Sequence, residues 1–303
     1  EEETSGDAET NHTAETVDYF AFDQAGTISA APIQDIAETG TLTLTHTAQT
    51  VTLQRSYENP VALAFVATEN GPDPVNVRIG DVSGTDLTLQ LQEPDSEDGN
   101  HGNETVHYMV VEAGTWILPD GTLLEAGTLN SDQLSSEGFE SVTFDAAFDA
   151  APAVLSQVQT FNGGDFVTTR QRDATADGVQ LTMQEEEALN GGGHTTETIG
   201  WVALEAGSGT AGDVSWLAGS TAGVTDANAS VGLGASMAGG ANVIAALSSY
   251  NGPDSAWARG DGSTSTTFDV SVEEETSGDA ETKHTAETVD YFAFDQAGTI
   301  SAA

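Results

Sequence analysis

Residues 1–31, EEETSGDAETNHTAETVDYFAFDQAGTISAA, return as residues 273–303 with a single change, Asn11 against Lys283. A chain in which position n comes back at n + 272 must fold in units that fit this period, and elements assigned without it would be cut in the wrong places. A weaker repetition lies inside the period. Asn70, Asn162 and Asn251 each open an Asn-Gly pair, and eight residues later each is followed by an arginine, Arg78, Arg170 and Arg259. His101, His194 and His284 then open His-x-x-Glu-Thr elements containing Glu104, Glu197 and Glu287, at 23, 24 and 25 residues after those arginines. The leading fragment carries the same element at His12 and Glu15. The offsets define three modules of about 90 residues, a common size for a small domain. The expected boundaries are 32–127, 128–213 and 214–303, with residues 1–31 as the closing part of a preceding module.

Each module reads as β-structure. Val51–Leu53, Leu63–Ala67, Val75–Arg78, Leu87–Gln92 and Val106–Glu112 are short runs rich in β-branched and aromatic residues, separated by Gly, Pro, Asn and Asp. Some alternate strictly and others are continuously apolar, and no segment keeps a helical period. Five or six such strands per module predict an antiparallel sandwich or small barrel. The Asn-Gly pairs are expected to form tight turns, because both residues tolerate positive φ.

Composition sets the solvent. With 49 Asp plus Glu against 6 Lys plus Arg, the formal charge is −43. Self-repulsion on that scale opposes a compact state unless salt screens it. At molar salt the screening length falls to about 3 Å, which points to an extreme halophile. Disorder is the rival reading of so acidic a chain, but the recurring apolar runs argue against it. Nucleic acid and anionic membranes are excluded as partners, since both need clustered Lys and Arg. There is no cysteine, hence no disulfide and no zinc–thiolate site, and no apolar run is long enough to insert in a membrane.

The second module resembles the H-type lectin domain of snail agglutinins and discoidins. The shared features are a Val-Thr-Phe strand (Val142–Phe144), a Pro-led strand (Phe148, Pro152 to Gln159) and an Arg-bearing strand (Val167–Arg172). An Asp177-Gly178-Val179 turn and a closing Trp201–Glu205 strand complete the match, and modules one and three follow it more loosely. The resemblance implies an all-β chain of three tandem six-stranded antiparallel β-sandwich modules, of a family that often trimerises and binds N-acetylgalactosamine-type sugars. This chain departs from it at the sugar platform. Gln92-Glu93, Gln184-Glu185 and Glu273-Glu274 stand where those lectins carry an aromatic residue and a histidine, so no binding residue is carried over.

The polar recurrences have competing readings. His101 with Glu104, His194 with Glu197 and His284 with Glu287 could ligate a metal or transfer protons, but such residues on a loop entering a strand more often fix a turn. Arg78, Arg170 and Arg259 are three of only five arginines. They are expected to clamp Glu104, Glu197 and Glu287 of their own modules, and the alternative is recognition of an anionic or sugar ligand. Arg259-Gly260-Asp261 spells a cell-attachment tripeptide, which the other modules do not repeat. The acidic loop Glu93–Asn100 offers weak prospects for Ca²⁺, lacking the spacing of a calcium loop, and no other cofactor is expected. Sequons at Asn11, Asn103 and Asn228 would be N-glycosylated in an exported chain.

No catalytic constellation repeats across modules, so a non-enzyme is expected. The favoured reading is a structural tandem-repeat protein of an extracellular filament, sheath or cell-surface fibre, self-associating with like repeats through the terminal segment. The alternative is an adhesin or lectin array that binds glycans.

Overall fold

The computed structural model describes residues 6, 14, 16–19, 21, 32–234, 237 and 240–303. It separates into two units, 1–31 and 32–303. The expected His12/Glu15 element and the Asn11 sequon lie outside the described residues.

Residues 32–303 are all β among the described residues, in three sandwiches of one topology. The first holds β1 (Gln34–Leu44), β2 (Gln49–Thr52), β3 (Pro60–Val66), β4 (Asn76–Val82), β5 (Asp86–Gln92) and β6 (Glu104–Glu112). After β7 (Gly114–Ile117) come β8 (Leu123–Ser131), β9 (Glu140–Thr143), β10 (Ala153–Val158), β11 (Val167–Thr175), β12 (Gly178–Glu185) and β13 (Glu197–Leu204). After β14 (Gly207–Ala211) come β15 (Val214–Val224), β16 (Ala229–Gly232), β17 (Asn242–Leu247), β18 (Ala256–Ser263), β19 (Thr267–Glu274) and β20 (Glu287–Phe294), and β21 (Gly298–Ala302) ends the chain. In each sandwich the second, fifth and fourth strands make one sheet. The first, sixth and third make the other, widened to four strands by β21, β7 or β14 at the edge of the first strand.

The additional strand shifts the units relative to the expected boundaries. β7 falls before residue 128 yet pairs with β8, and β8 itself runs across that position. β14 pairs with β15 across residue 214 in the same way. The sheet of the first sandwich is completed from the far end of the chain, by β21 antiparallel to β1 from Gln34↔Ala302 to Thr39↔Gly298.

Two kinds of strand pattern explain the packing. In β5, Leu87, Leu89 and Leu91 are buried while Thr88 and Gln90 alternate with them, the period of a strand with one face inward. In β3, every residue from Val61 to Val66 is buried. Ala62, Ala64 and Val66 enter the first sandwich's own core. Val61, Leu63 and Phe65 join a central core that also takes Leu155 of β10, Val202 of β13 and Ile244 of β17. Continuous apolar runs are therefore strands buried on both faces, by their own sandwich and by its neighbours. Full burial contributes roughly 1.5–3 kcal/mol for each large side chain. The three sandwiches thus share one interior.

Three glycines permit this sheet geometry. Gly40, Gly127 and Gly219 lie directly across from Tyr108, Trp201 and Tyr291 in the register of the first and sixth strands. A Cβ at Gly127 would stand 2.6 Å from the Trp201 ring. The bare backbone is the seat on which the aromatic ring lies.

Candidate functional site

The loops that follow β3, β10 and β17 each carry an Asn-Gly pair, and each pair wraps the carboxylate that opens the sixth strand. The N–H groups of Asn162 (2.9 Å) and Gly163 (3.0 Å) donate to Glu197. Asn70 and Gly71 do the same for Glu104, as do Asn251 and Gly252 for Glu287. A hydroxyl adds to each nest, from Thr68, Thr160 or Ser249. The asparagine amide closes the loop by donating to the carbonyl of Asn103, Thr196 or Ala286.

The role expected of the glycine is corrected here. Gly71, Gly163 and Gly252 do not have positive φ. What they provide is room: a Cβ there would come to 3.0, 2.8 and 2.9 Å from the rings of His101, His194 and His284. Each histidine is buried between two carboxylates. His101 Nδ1 meets Glu93 at 2.8 Å, His194 Nδ1 meets Glu185 at 2.5 Å, and His284 Nδ1 meets Glu274 at 2.5 Å. The Nε2 atoms face Glu104, Glu197 and Glu287 at 3.1, 3.4 and 3.1 Å.

The arginines complete the clusters from outside the module, and this overturns the expectation that each would clamp a glutamate of its own. Arg78 Nη2 reaches Glu197 at 2.7 Å, Arg170 Nη2 reaches Glu287 at 2.7 Å, and Arg259 Nη2 reaches Glu104 at 2.9 Å. First module thus bonds to second, second to third and third to first, so three ion pairs run around a closed ring. All three guanidinium groups are buried, Arg170 completely. Arg78 lies over Phe161 and Arg170 over Tyr250, each with 4.7 Å from the guanidinium carbon to the ring centroid. With Arg259 almost wholly inaccessible, the Arg259-Gly260-Asp261 tripeptide presents no free arginine.

A second ring of contacts has no recurring sequence signature. The third strand of each sheet presents an unpaired N–H to the neighbouring sandwich, and a different side chain meets it each time. Val154 N–H donates to Asp290 Oδ2 (2.9 Å) and Val243 N–H to His107 Nδ1 (2.9 Å). Ala62 N–H donates to Gln159 Oε1 (3.1 Å), which occupies the space left by Gly200 at the position matching His107 and Asp290. Only the geometry is common to the three, so alignment of residue types could not expose it.

Charge inside the clusters is ordered. For His101, His194 and His284, burial works against the charged ring, but the hydrogen bonds that it donates to the two flanking carboxylates outweigh it and raise the pKa. For Glu197 and Glu287, burial works against ionisation, but the histidine and the donor nest hold each carboxyl down to about 2. Glu104 is lowered by the same kinds of partner, whereas burial pushes Glu185 and Glu274 up. Of the two carboxyls that flank His194 and His284, the one facing the neighbouring arginine is therefore the more readily ionised.

The sign of the pH dependence follows. Histidines with folded pKa above the ordinary 6.5 contribute stability that is complete below that value and lost as pH rises through the folded pKa. Glu104, Glu197 and Glu287 contribute stability complete above 4.5 and lost as pH falls, toward about 2 for the latter two. In molar salt the melting midpoint is expected to be highest in weak acid and to fall as the pH rises above about 6.5. Calorimetry across that range checks this, and a midpoint that rises with pH contradicts it.

The acidic loop is self-capped: Glu93 Oε2 accepts from Gly99 N–H, and Asp98 accepts from Asn100 N–H. Carboxylates also converge at Asp165, Glu185 and His194 and at Glu187, Asp254 and Glu274. Glu185 and Glu274 are already bonded to histidine there, and burial followed by repulsion from Glu275 and Asp254 pushes Glu187 up to about 7. Asn103 and Asn228 are exposed, with the Asn228 amide donating to Asp261 at 2.8 Å.

Among known proteins, the chain is similar to halomucin of Haloquadratum walsbyi, 32% identical over 263 residues. The alignment takes in 84% of this chain and 3% of halomucin, so the chain spans only a small fraction of that relative's length. No family model matches the chain, and no solved structure matches it.

Proposed function

We propose that the chain is a structural repeat of an extracellular, cell-surface protein of a halophile, and that each 272-residue unit is a rigid, non-catalytic bead in a longer string. The observation that carries this reading is the closed ring: three buried Arg–Glu pairs join the modules cyclically, and β21 returns to β1. The terminal strands of the unit are thereby neighbours, with Gln34 opposite Ala302. Such beads can be strung in any number without altering their interior.

Three further points support the reading. The net charge of −43 suits molar salt. The relative that aligns with the chain is, by its name, a mucin of a halophile, and the aligned stretch is a small part of it. Residues at the positions where H-type lectins hold sugar are turned inward instead, with Gln184 bonded to Arg170 and Glu185 and Glu274 bonded to histidines. A ring of three sandwiches within one chain is also what the H-type resemblance, with its habit of trimerising, leads one to expect.

Antibodies raised against residues 32–303 should label the outside of intact source cells kept in native brine, and electron microscopy of that material should show strings or sheaths of beads. Label confined to the cell interior overturns the surface role. Saturable binding on a glycan array in molar salt overturns the purely structural role in favour of an adhesin.

A further inference from the structure

The outer edge of the first strand is covered in all three sandwiches, but not by the same route. β7 and β14 are sequence neighbours of the strands that they cover. β21 reaches β1 from the other end of the chain, where Ser301 Oγ donates to Asp35 Oδ1 at 2.7 Å across a separation of 266 residues. The registers are equivalent. Gly114 pairs with Ala126, Gly207 with Ala218 and Gly298 with Thr39, each partner lying just before the glycine that seats the aromatic ring.

The segment that forms β21, Gly-Thr-Ile-Ser-Ala, occurs twice in the chain, at 298–302 and again at 26–30. The same five residues are thus available from two places in the sequence. We propose that the outer edge of β1 is an exchange site for a second copy of this chain, which docks its own Gly-Thr-Ile-Ser-Ala segment in place of β21. The incoming strand is identical to the outgoing one, so the hydrogen bonds, the buried Ile300 and the Ser301–Asp35 bond are all replaced in kind. An uncovered edge is a template for pairing, and the strand that covers it here is only five residues long. Exchange of an identical element between copies links them at little cost in free energy. The proposal stands independently of where the protein is displayed.

The chain contains no cysteine, so introduced thiols report one pairing at a time. Full-length chains carrying Asp35→Cys and, on a second population with a distinguishable tag, Ser29→Cys are unfolded, refolded together in molar salt and oxidised. A covalent heterodimer on a non-reducing gel is expected. Adding Ile28→Asp to the Ser29→Cys chain should cut its yield several-fold, because a carboxylate cannot take the buried place of the isoleucine. One chain carrying both Asp35→Cys and Ser301→Cys should close an internal disulfide as a monomer, which verifies that the ring folds. Internal closure without any heterodimer, or a heterodimer indifferent to Ile28→Asp, overturns the proposal.

Discussion

Replacing Arg170 by Gln should lower the melting midpoint of the ring by roughly 10 °C in molar salt, since removing one partner of a buried pair costs about 3–5 kcal/mol. Arg170 is wholly buried and holds Glu287 across the boundary between the second and third sandwiches. With it gone, Glu287 keeps its nest of N–H donors and His284 but faces a neutral neighbour, and Tyr250 loses the cation that it stacks on. Arg172 offers the internal contrast. Its pairing with Asp173 at 3.5 Å is partly exposed, and surface pairs contribute about 1 kcal/mol or less. Arg172→Gln should therefore shift the midpoint far less. Replacing both Arg170 and Glu287 by Met should not recover the loss, because the N–H groups of Asn251 and Gly252, the Ser249 hydroxyl and His284 would then be buried without their acceptor. Calorimetry of the four chains decides the matter, and equal effects at Arg170 and Arg172 would remove the reason for regarding the ion pairs as what binds the ring.

Withdrawing salt should have the other large effect. The Debye length grows from about 3 Å at 1 M to about 10 Å at 0.1 M, so repulsion among a formal charge of −43 reaches across the surface as salt is lowered. The buried Arg–Glu–His clusters are shielded from mobile ions and should resist longer. Dialysis from molar to roughly 0.1 M monovalent salt is expected to lower the midpoint by tens of degrees or to unfold the chain outright, as followed by circular dichroism. Unchanged stability in dilute buffer contradicts adaptation to high salt.

These expectations also show which features could be read from the sequence. The constant offset from Asn70 to Arg78 and the nearly constant one from Arg78 to His101, repeated twice more, pointed to the modules and to the Arg, His and Glu104, Glu197 or Glu287 of each cluster. Nothing in them pointed to Glu93, Glu185 and Glu274, which bond the histidines from the other side. They could not say which module each arginine serves. Three equivalent modules supply three equivalent glutamates, and only the closing of the ring makes Arg78 the partner of Glu197 and not of Glu104. The continuously apolar PVALAFV stretch was a sign of a strand buried on two faces, and hence of a shared interior. The contacts of Gln159, His107 and Asp290 stayed hidden because three unlike side chains solve one geometric problem, a lone N–H at a sheet edge. β1 was equally hard to see, because its outward face is completed by residues from the opposite end of the chain.

That pairing has a mechanical meaning. Gln34, where β1 begins, and Ala302, where β21 ends, lie opposite one another at the same end of an antiparallel pair. Were such rings strung end to end as proposed, tension would enter and leave each one at this single point. It would peel the β1–β21 bonds apart one at a time, starting beside the Ile117–Ala303 contacts, and not shear them all together. Each bead would yield first at its clasp and at low force, lengthening the string while the buried ion pairs still hold the three sandwiches together.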